Sequence, residues 1–340
     1  MNGIQIKDVT KHYRVLKRRE GLSGSVRDLF SRNYSVVKAV DGISLNIEPG
    51  ELVGFIGPNG AGKSTTIKML SGVLEPTSGI IEVDGFVPYR QRRRYVQHIG
   101  IVFGQRTQLW WDLAVIESFK LLKEVYGIDD AAFTRNLGIF DEIAGLKELY
   151  GKPVRNLSLG QRMLCEIAAS FIHDPSTIFL DEPTIGLDVE IRSKVRTIIK
   201  ELNRVKGATV LLSSHDVGDI ESLARRIVLI DKGKILYDGP TEKFNGIFGR
   251  YRTLRLDVHG LSESDIARLK AETAAHVQKN KEIVFGEVSS GWLGLSFDQD
   301  KIPLLELLTP ILAAFAVKDI KVEEIDMEEV IRRVYEGALG

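Results

Sequence analysis

Short, predominantly apolar runs of four or five residues recur along the first 230 positions of the chain. Runs of this length and composition are typical of strands buried inside a sheet. They lie at residues 52–56, 99–103, 177–181, 209–213 and 227–230. We predict that they form the parallel core of an α/β domain. Residues 4–9, 37–47 and 80–83 predict strands of an N-terminal antiparallel layer beside it.

Helical and mixed patterns occupy the rest of the chain. Residues 112–172 are mostly helical in pattern and predict a subdomain inserted between core strands. From about Tyr251 strand and helix patterns alternate, and their order predicts a small ferredoxin-like α+β domain. Its predicted elements lie at residues 253–258, 262–275, 281–288, 292–297, 302–316, 319–325 and 327–336. We therefore predict an α/β domain at residues 1–245 and an accessory α+β domain at residues 246–340.

The first apolar run leads into a glycine-rich segment, which we call the phosphate loop. It matches the pattern G-x-x-x-x-G-K-[ST] and precedes a predicted helix. Its residues are Gly57, Pro58, Asn59, Gly60, Ala61, Gly62, Lys63, Ser64 and Thr65. Glycines let successive backbone N–H groups point at one anion. Lys63 adds positive charge for the terminal phosphates and Ser64 offers a hydroxyl to Mg²⁺, so the sequence predicts a nucleotide site with a magnesium ion.

Two carboxylates end another apolar run. Asp181 and Glu182 directly follow residues 178–180. Because adjacent strand residues point to opposite faces, Asp181 is predicted to hold the magnesium ion and Glu182 to face the terminal phosphate. There Glu182 can deprotonate an attacking water, a role that raises rates by roughly 10²–10⁴-fold. A lone acidic pair is usually a solvated turn, but the apolar strand before it and Pro183 after it favour catalysis.

Further motifs follow the phosphate loop in a fixed order. They are Gln105, Leu157-Ser158-Leu159-Gly160-Gln161, the strand ending in Asp181-Glu182, Gly186-Leu187-Asp188 and Ser214-His215-Asp216. Their order and spacing resemble the ATP-binding subunit of ABC transporters, from about residue 4 to about residue 240. The resemblance is highly specific because five separate motifs must coincide. It implies a P-loop ABC ATPase fold with a RecA-like parallel core, an antiparallel β layer and a helical signature subdomain.

In that family, residues 157–161 correspond to the signature loop, which closes on ATP held by an opposite subunit. The resemblance implies that Ser158, Gly160 and Gln161 contact this ATP, and that two chains pack head to tail around two ATP molecules. Asp188 then lies in the loop that crosses the dimer seam. Leu159 departs from the usual glycine, so its side chain is expected close to the bound nucleotide.

Three more residues complete the implied site. His215 follows the apolar run at residues 209–213 and would contact the γ-phosphate, acting with Lys63, Glu182 and Gln105 in catalysis. Gln105 would also contact the metal and water and would sense a membrane partner. Tyr13 fits the aromatic residue that stacks on adenine. Tyr34 is the alternative, because a long insertion begins beside Tyr13.

Composition fits this assignment. The chain has 46 Lys and Arg residues and 46 Asp and Glu residues, so it shows no general bias toward nucleic acid. Its single cysteine excludes an internal disulfide and fits a reducing compartment. We see no signal-peptide pattern and no run of the roughly 20 apolar residues that a membrane helix needs. We expect a cytoplasmic protein on the inner face of the cell membrane, docked on separate permease subunits and paired with a second ATP-binding subunit, with no nucleic-acid partner.

An insertion at residues 14–36 is strongly basic. From Lys11 to Arg32 the chain has seven basic and two acidic residues, a net charge of +5. Residues 25–30 favour a short amphipathic helix. Basic residues near an anionic leaflet each gain about 1 kcal/mol, so we expect the insertion to act at the membrane face. The alternative is a mobile basic loop.

Two adjacent tryptophans, Trp110 and Trp111, follow Gln105. In the family a coupling helix of the membrane subunit docks near this position. Tryptophan is a large amphipathic anchor of the kind found at interface hot spots. We therefore expect the pair near the docking groove, with at least one of them buried.

The function implied by the resemblance is ATP hydrolysis that powers an ABC-2 type exporter, with a drug-like, lipid-like or glycan-like cargo. The tail resembles the C-terminal extension of many ATPases in that class. A sodium or other ion exporter ATPase is the alternative within transport. A soluble ABC ATPase acting on the ribosome or DNA is the alternative of another class, but those usually carry two cassettes or a coiled-coil insertion.

Overall fold

The computed structural model describes residues 3–16, 34–104, 106–276, 283–315, 317–325 and 327–335. The chain forms two compact units, Met1–Gly239 and Pro240–Gly340. The basic residues of the insertion between 17 and 33, and Gln105, lie outside the described residues.

A six-stranded sheet forms the core of the first unit. Its strands are β3 (Leu52–Ile56), β5 (Ile99–Phe103), β6 (Thr177–Asp181), β7 (Thr209–Ser214), β8 (Arg226–Asp231) and β9 (Lys234–Pro240). Their order is β5-β6-β7-β3-β8-β9, and the pairs β5–β6, β6–β7, β7–β3 and β3–β8 are parallel. Every residue of β3, β6 and β7 is buried. The predicted parallel core is therefore confirmed.

A three-stranded antiparallel sheet lies in the same unit. Its strands are β1 (Ile4–Leu16), β2 (Tyr34–Ile47) and β4 (Ser78–Val83), in the order β2-β1-β4. The predicted layer is confirmed, but β1 and β2 extend further than their patterns predict, as far as the pair Leu16 and Tyr34. Val15, Tyr34 and Val36 are all exposed in this extension. Because these apolar side chains are not buried, no inward-facing apolar stripe marks the extension in the sequence.

The helices of this unit follow the predicted arrangement, with three of the seven described α-helices and both 3₁₀ turns between β5 and β6. They are α1 (Lys63–Leu70), α2 (Arg92–Tyr95), α3 (Val115–Tyr126), α4 (Asp130–Ala144), α5 (Leu159–Phe171), α6 (Val189–Lys206) and α7 (Val217–Glu221), with 3₁₀ turns at Leu146–Leu149 and Val154–Asn156. Helix α4 is closed by side-chain and glycine caps. Asp129 accepts a hydrogen bond from the Ala132 backbone, and Gly145 ends the helix at φ +63°.

The second unit has its own sheet and core. Its strands are β10 (Tyr251–Asp257), β11 (Ile283–Ser289), β12 (Trp292–Asp298) and β13 (Ile320–Glu324), and its helices are α8 (Thr241–Phe248), α9 (Glu263–His276), α10 (Leu304–Ala314) and α11 (Met327–Tyr335). The sheet is antiparallel in the order β11-β12-β10-β13. This β-α-β-β-α-β order is ferredoxin-like, as predicted. Leu254, Leu293 and Leu295 are fully buried in its core.

Within the described ranges, no helix is both long enough and apolar enough to cross a membrane.

Candidate functional site

The phosphate loop connects β3 to α1, and close packing fixes its shape. A Cβ atom on Gly57 would lie 2.1 Å from the carbonyl oxygen of Ile230. One on Gly62, at φ +114°, would lie 2.5 Å from the carbonyl oxygen of Ala39. Glycine is therefore required at both positions. Helix α1 begins immediately afterwards at Lys63, so its N-terminal N–H groups and positive dipole end lie at the loop.

A cavity of about 330 Å³ lies over this loop, and we call it the phosphate cavity. It is lined by Ala39, Pro58, Asn59, Gly60, Ala61, Gly62, Lys63, Ser64, Thr65, Glu182 and Ile185. Lys63 is only 5% exposed, and its Nζ donates to the carbonyl oxygens of Gly57 at 2.7 Å and Pro58 at 3.1 Å. The loop therefore holds its buried ammonium group at the cavity wall, where it can pair with an anion.

Asp181 and two hydroxyl groups form an oxygen cluster at the end of β6. Asp181 Oδ1 accepts hydrogen bonds from Ser64 Oγ at 3.0 Å and from Ser213 Oγ at 2.7 Å. Mg²⁺ prefers oxygen ligands and usually takes only one or two from the protein, with substrate phosphates and waters completing its shell. A hydroxyl and a carboxylate beside a phosphate loop fit that requirement.

Glu182 lies between the phosphate loop and the end of β7. Its Oε1 is 3.2 Å from Lys63 Nζ, and its Oε2 is 2.6 Å from His215 Nδ1. Its backbone N–H donates to Ser213 Oγ at 3.1 Å. The backbone of Glu182 is at φ +55°, a conformation that costs a non-glycine residue about 1–3 kcal/mol and is concentrated at functional sites. The strained backbone therefore coincides with the point where Lys63, Glu182 and His215 meet.

A second cavity of about 410 Å³ adjoins the same carboxylates, and we call it the side cavity. It is lined by Ser64, Lys68, Val73, Phe103, Gly104, Arg106, Asp181, Glu182 and Ile185. Gly104 and Arg106 are the sequence neighbours of Gln105, and both of them line this cavity. The proposed metal and water contacts of Gln105 itself lie outside the described residues.

The signature loop lies elsewhere on the unit. Ser158 caps α5 in a capping box, accepting from the Gln161 backbone at 3.2 Å while its own N–H donates to Gln161 Oε1 at 3.1 Å. Gly160 is buried against α6, where an added Cβ would lie 2.3 Å from Ile191 Cγ2. Ser158, Gly160 and Gln161 line neither the phosphate cavity nor the side cavity.

Leu159 is the first residue of α5 and is partly exposed. Its Cδ2 lies 3.6 Å from the position that a Cβ on Gly186 would occupy. The side chain therefore leans toward the turn before Asp188. Asp188 is exposed and caps α6, accepting from the Ile191 backbone at 2.9 Å.

Tyr13 lies on β1 opposite Val37, two positions along β2 from Ala39 of the phosphate cavity. Tyr13 is 36% exposed, with Lys11 Nζ 5.5 Å from the centroid of its ring. Tyr34, the alternative adenine-stacking residue, pairs with Leu16 further along the same hairpin. Tyr13 is therefore closer in register to the phosphate cavity.

Both tryptophans are exposed, Trp110 by 42% and Trp111 by 48%, so the expectation that at least one is buried is wrong. Leu109, 3% exposed, takes the core position instead. The Arg162 guanidinium lies 5.4 Å from the centroid of the Trp111 ring. The pair is thus presented on the surface beside the signature helix.

Sequence reasoning missed the polar contacts behind the site. Ser213, at the end of β7, contacts both Asp181 and Glu182, and Thr184 donates to Asp219 at 2.6 Å. No local pattern marks these residues, because their partners are more than 30 positions away in sequence. The one sequence feature that could have identified Ser213 is its hydroxyl group at the end of an otherwise largely apolar run.

Comparison with known proteins gives the family. Residues 40–185 match the family model described as ABC transporter. The ABC transporter ATP-binding protein NatA of Bacillus subtilis (strain 168) is 36% identical over 213 residues, covering 63% of this chain and 86% of NatA. The linearmycin resistance ATP-binding protein LnrL of the same strain is 30% identical over 296 residues, covering 87% of this chain and 91% of LnrL.

A solved structure of the ATP-binding cassette MJ0796, a dimer in a post-hydrolysis state with ADP and Pi, superposes with a TM-score of 0.57. It is 25% identical, and the match covers 70% of this chain and 98% of that one. Together with the geometry above, these matches show that the chain belongs to the ABC transporter family, as an ATP-binding and ATP-hydrolysing subunit of an ABC-2 type exporter that works with membrane permease partners.

Proposed function

We propose that Glu182 is the general base of ATP hydrolysis in this chain. The observation that supports this role most strongly is its carboxylate, whose two oxygens lie 3.2 Å from Lys63 Nζ and 2.6 Å from His215 Nδ1. Lys63 pairs with the terminal phosphates, and His215 contacts the γ-phosphate and orients Glu182. Glu182 takes a proton from the attacking water.

Ser64 and Asp181 hold the magnesium ion, together with Gln105. A bound Mg²⁺ neutralises charge on the phosphate oxygens. The protein's own contribution includes holding the Asp181 carboxylate in place. Ser213 donates to Asp181 Oδ1 at 2.7 Å, which leaves Oδ2 of the carboxylate for the metal shell. Tyr13 stacks on the adenine.

The complete site needs a second copy of the chain. Ser158, Gly160 and Gln161 lie at the N-terminus of α5, where N–H groups and the helix dipole favour an anion. Since these residues line neither cavity of their own chain, we place them on the ATP of a partner in a head-to-tail homodimer. Asp188 lies at the seam between the two copies.

The cargo that we propose is a drug-like organic molecule, chosen by the permease subunits. LnrL carries linearmycin resistance in its name, and its match extends over 87% of this chain, which includes part of the second unit. The protein acts at the cytoplasmic face of the membrane. The +5 charge of the insertion suits anionic headgroups there.

Glu182→Gln tests the central assignment, since it keeps the shape of the side chain and removes the base. We expect ATP affinity to remain near that of the wild type while kcat falls by roughly 100- to 10,000-fold. ATP-loaded dimers should accumulate in size-exclusion chromatography because hydrolysis is what separates the two copies.

Glu263→Gln, on an exposed position of α9 in the second unit, is the matched control and should leave kcat unchanged. Steady-state turnover of Glu182→Gln equal to that of the control would rule out Glu182 as the base.

A further inference from the structure

A buried hydrogen bond connects the two loops that carry Glu182 and His215. Thr184 Oγ1 donates to Asp219 Oδ2 at 2.6 Å, and the two residues are 4% and 3% exposed. Thr184 follows Glu182 by two positions. Asp219 lies on α7, four positions after His215. The bond therefore joins the two chain segments that directly follow the proposed base and its histidine partner.

Asp219 also faces two cations from a third element. Arg196 Nη1 is 3.5 Å and Arg192 Nε is 3.9 Å from Asp219 Oδ1, and both arginines lie on α6. Arg192 also donates to Asp216 Oδ2 at 2.9 Å. We call these residues, with Thr184, the Asp219 cluster. Burial, with the neighbouring charge of Asp216, raises the pKa of Asp219, while Thr184 and the two arginines oppose that rise.

The position of this cluster lets Asp219 connect three segments of the site. Helix α6 begins directly after Asp188, which caps it. Asp219 thus contacts the turn after Glu182, lies on the helix after His215, and faces the helix that starts at the proposed dimer seam. Catalytic side chains must be held within about 0.5 Å of their productive positions, and buried hydrogen bonds behind them supply that precision.

We propose that Asp219 is a positioning residue for ATP hydrolysis. Through Thr184 it sets the distance between Glu182 and His215, and through Arg192 and Arg196 it links that distance to the placement of α6. This inference rests on the roles proposed above for Glu182 and His215. It adds a requirement that those roles alone do not contain: hydrolysis depends on a bond that does not touch the nucleotide.

Thr184→Val tests the bond, since it removes the hydroxyl donor at nearly constant side-chain volume. We expect kcat of the purified chain to fall about tenfold or more while the Kd for MgATP, measured by calorimetry, changes less than twofold. Thr184→Ser restores the donor and should recover most of the lost kcat. Asp219→Asn keeps an acceptor for Thr184 but loses the charge that faces the arginines, so it should lie between wild type and Thr184→Val.

Thr209→Val is the matched control. Thr209 is 1% exposed, accepts from the Gly50 backbone at 2.9 Å, and starts β7 at the end away from His215. It should lower the thermal midpoint to a degree similar to Thr184→Val and leave kcat unchanged. Equal kcat for Thr184→Val and wild type, or equal losses of kcat in Thr184→Val and Thr209→Val, would overturn the proposal.

A double-variant cycle separates this inference from the proposed function. If Thr184 acts through Glu182, then adding Thr184→Val to Glu182→Gln costs little further single-turnover rate. A full additive loss in the double variant, with Glu182→Gln itself strongly impaired, contradicts the positioning role and leaves the base intact. Normal turnover of Glu182→Gln would remove the proposed function instead.

Discussion

At the scale of single residues, the Glu182 carboxylate contacts a cation through one oxygen and an imidazole through the other. Glu182 contacts Lys63 through one oxygen and His215 through the other, from a backbone held at φ +55°. Such strain persists only where surrounding contacts over-determine it. Here the contacts are the backbone hydrogen bond to Ser213 and the turn that ends in the bond between Thr184 and Asp219. The placement of Glu182 therefore depends on Ser213, Thr184 and Asp219, none of which lines the phosphate cavity.

Lys63→Ala should weaken MgATP binding about 10- to 100-fold, because a hydrogen bond to a charged group contributes about 1.5–3 kcal/mol. The fold should remain, since the Lys63 ammonium lies at the wall of the phosphate cavity and contacts only loop carbonyls and the Glu182 carboxylate there. Calorimetric titration with MgATP measures the effect, and Lys200→Ala on the exposed side of α6 is the control. MgATP binding as tight as that of the control would show that the phosphate loop is not used as proposed.

At the scale of elements, helix α5 joins the signature loop to the segment that carries the tryptophans. Glu166, buried within α5, accepts hydrogen bonds from the Thr107 hydroxyl and from the Gln108 backbone at 3.1 Å. Burial raises the pKa of Glu166. A buried carboxylate is costly unless hydrogen bonded, so these contacts fix residues 107–109 against α5. The exposed tryptophans are thereby held at a defined position beside the signature helix.

Trp111→Ala should weaken assembly with the permease or uncouple transport, and leave ATP binding by the isolated chain nearly unchanged. Removing a core tryptophan costs about 3–5 kcal/mol, but Trp111 is 48% exposed, so the thermal midpoint should move little. Co-purification with the membrane subunits and a thermal melt of the isolated chain measure the two effects. Val125→Ala, another exposed apolar position, is the control. A thermal midpoint lowered by many degrees would mean that Trp111 supports the fold rather than docking.

At the scale of the whole molecule, the sequence predicts the five parallel core strands to within about one residue, because each of them is predominantly apolar. It does not predict the length of the β1–β2 hairpin, whose exposed valines lack an inward-facing pattern. It identifies Lys63, Asp181 and His215 as site candidates, since each follows a local motif. It does not find Asp219, because contacts between loops 35 positions apart depend on how the whole sheet is assembled.

The basic insertion is predicted to act where the whole molecule contacts the membrane. Changing Arg18, Arg19 and Arg27 together to Gln should reduce co-sedimentation with vesicles of anionic phospholipid. Basal hydrolysis should barely change, since none of the three lies near a phosphate-loop motif in sequence. If the insertion instead only shapes the adenine site, the triple variant should lose ATP affinity while its vesicle binding is unaffected. That result would contradict the membrane role.

The central claim is that each ATP is hydrolysed in a site built from the phosphate loop of one copy and the signature loop of the other. Mixing Ser158→Arg with Glu182→Gln subunits tests it most directly. Each variant alone should be nearly inactive. In a head-to-tail heterodimer one site carries both defects and the other carries neither, so the account predicts turnover clearly above that of either variant alone. Proven heterodimers that hydrolyse no faster than the separate variants would contradict it.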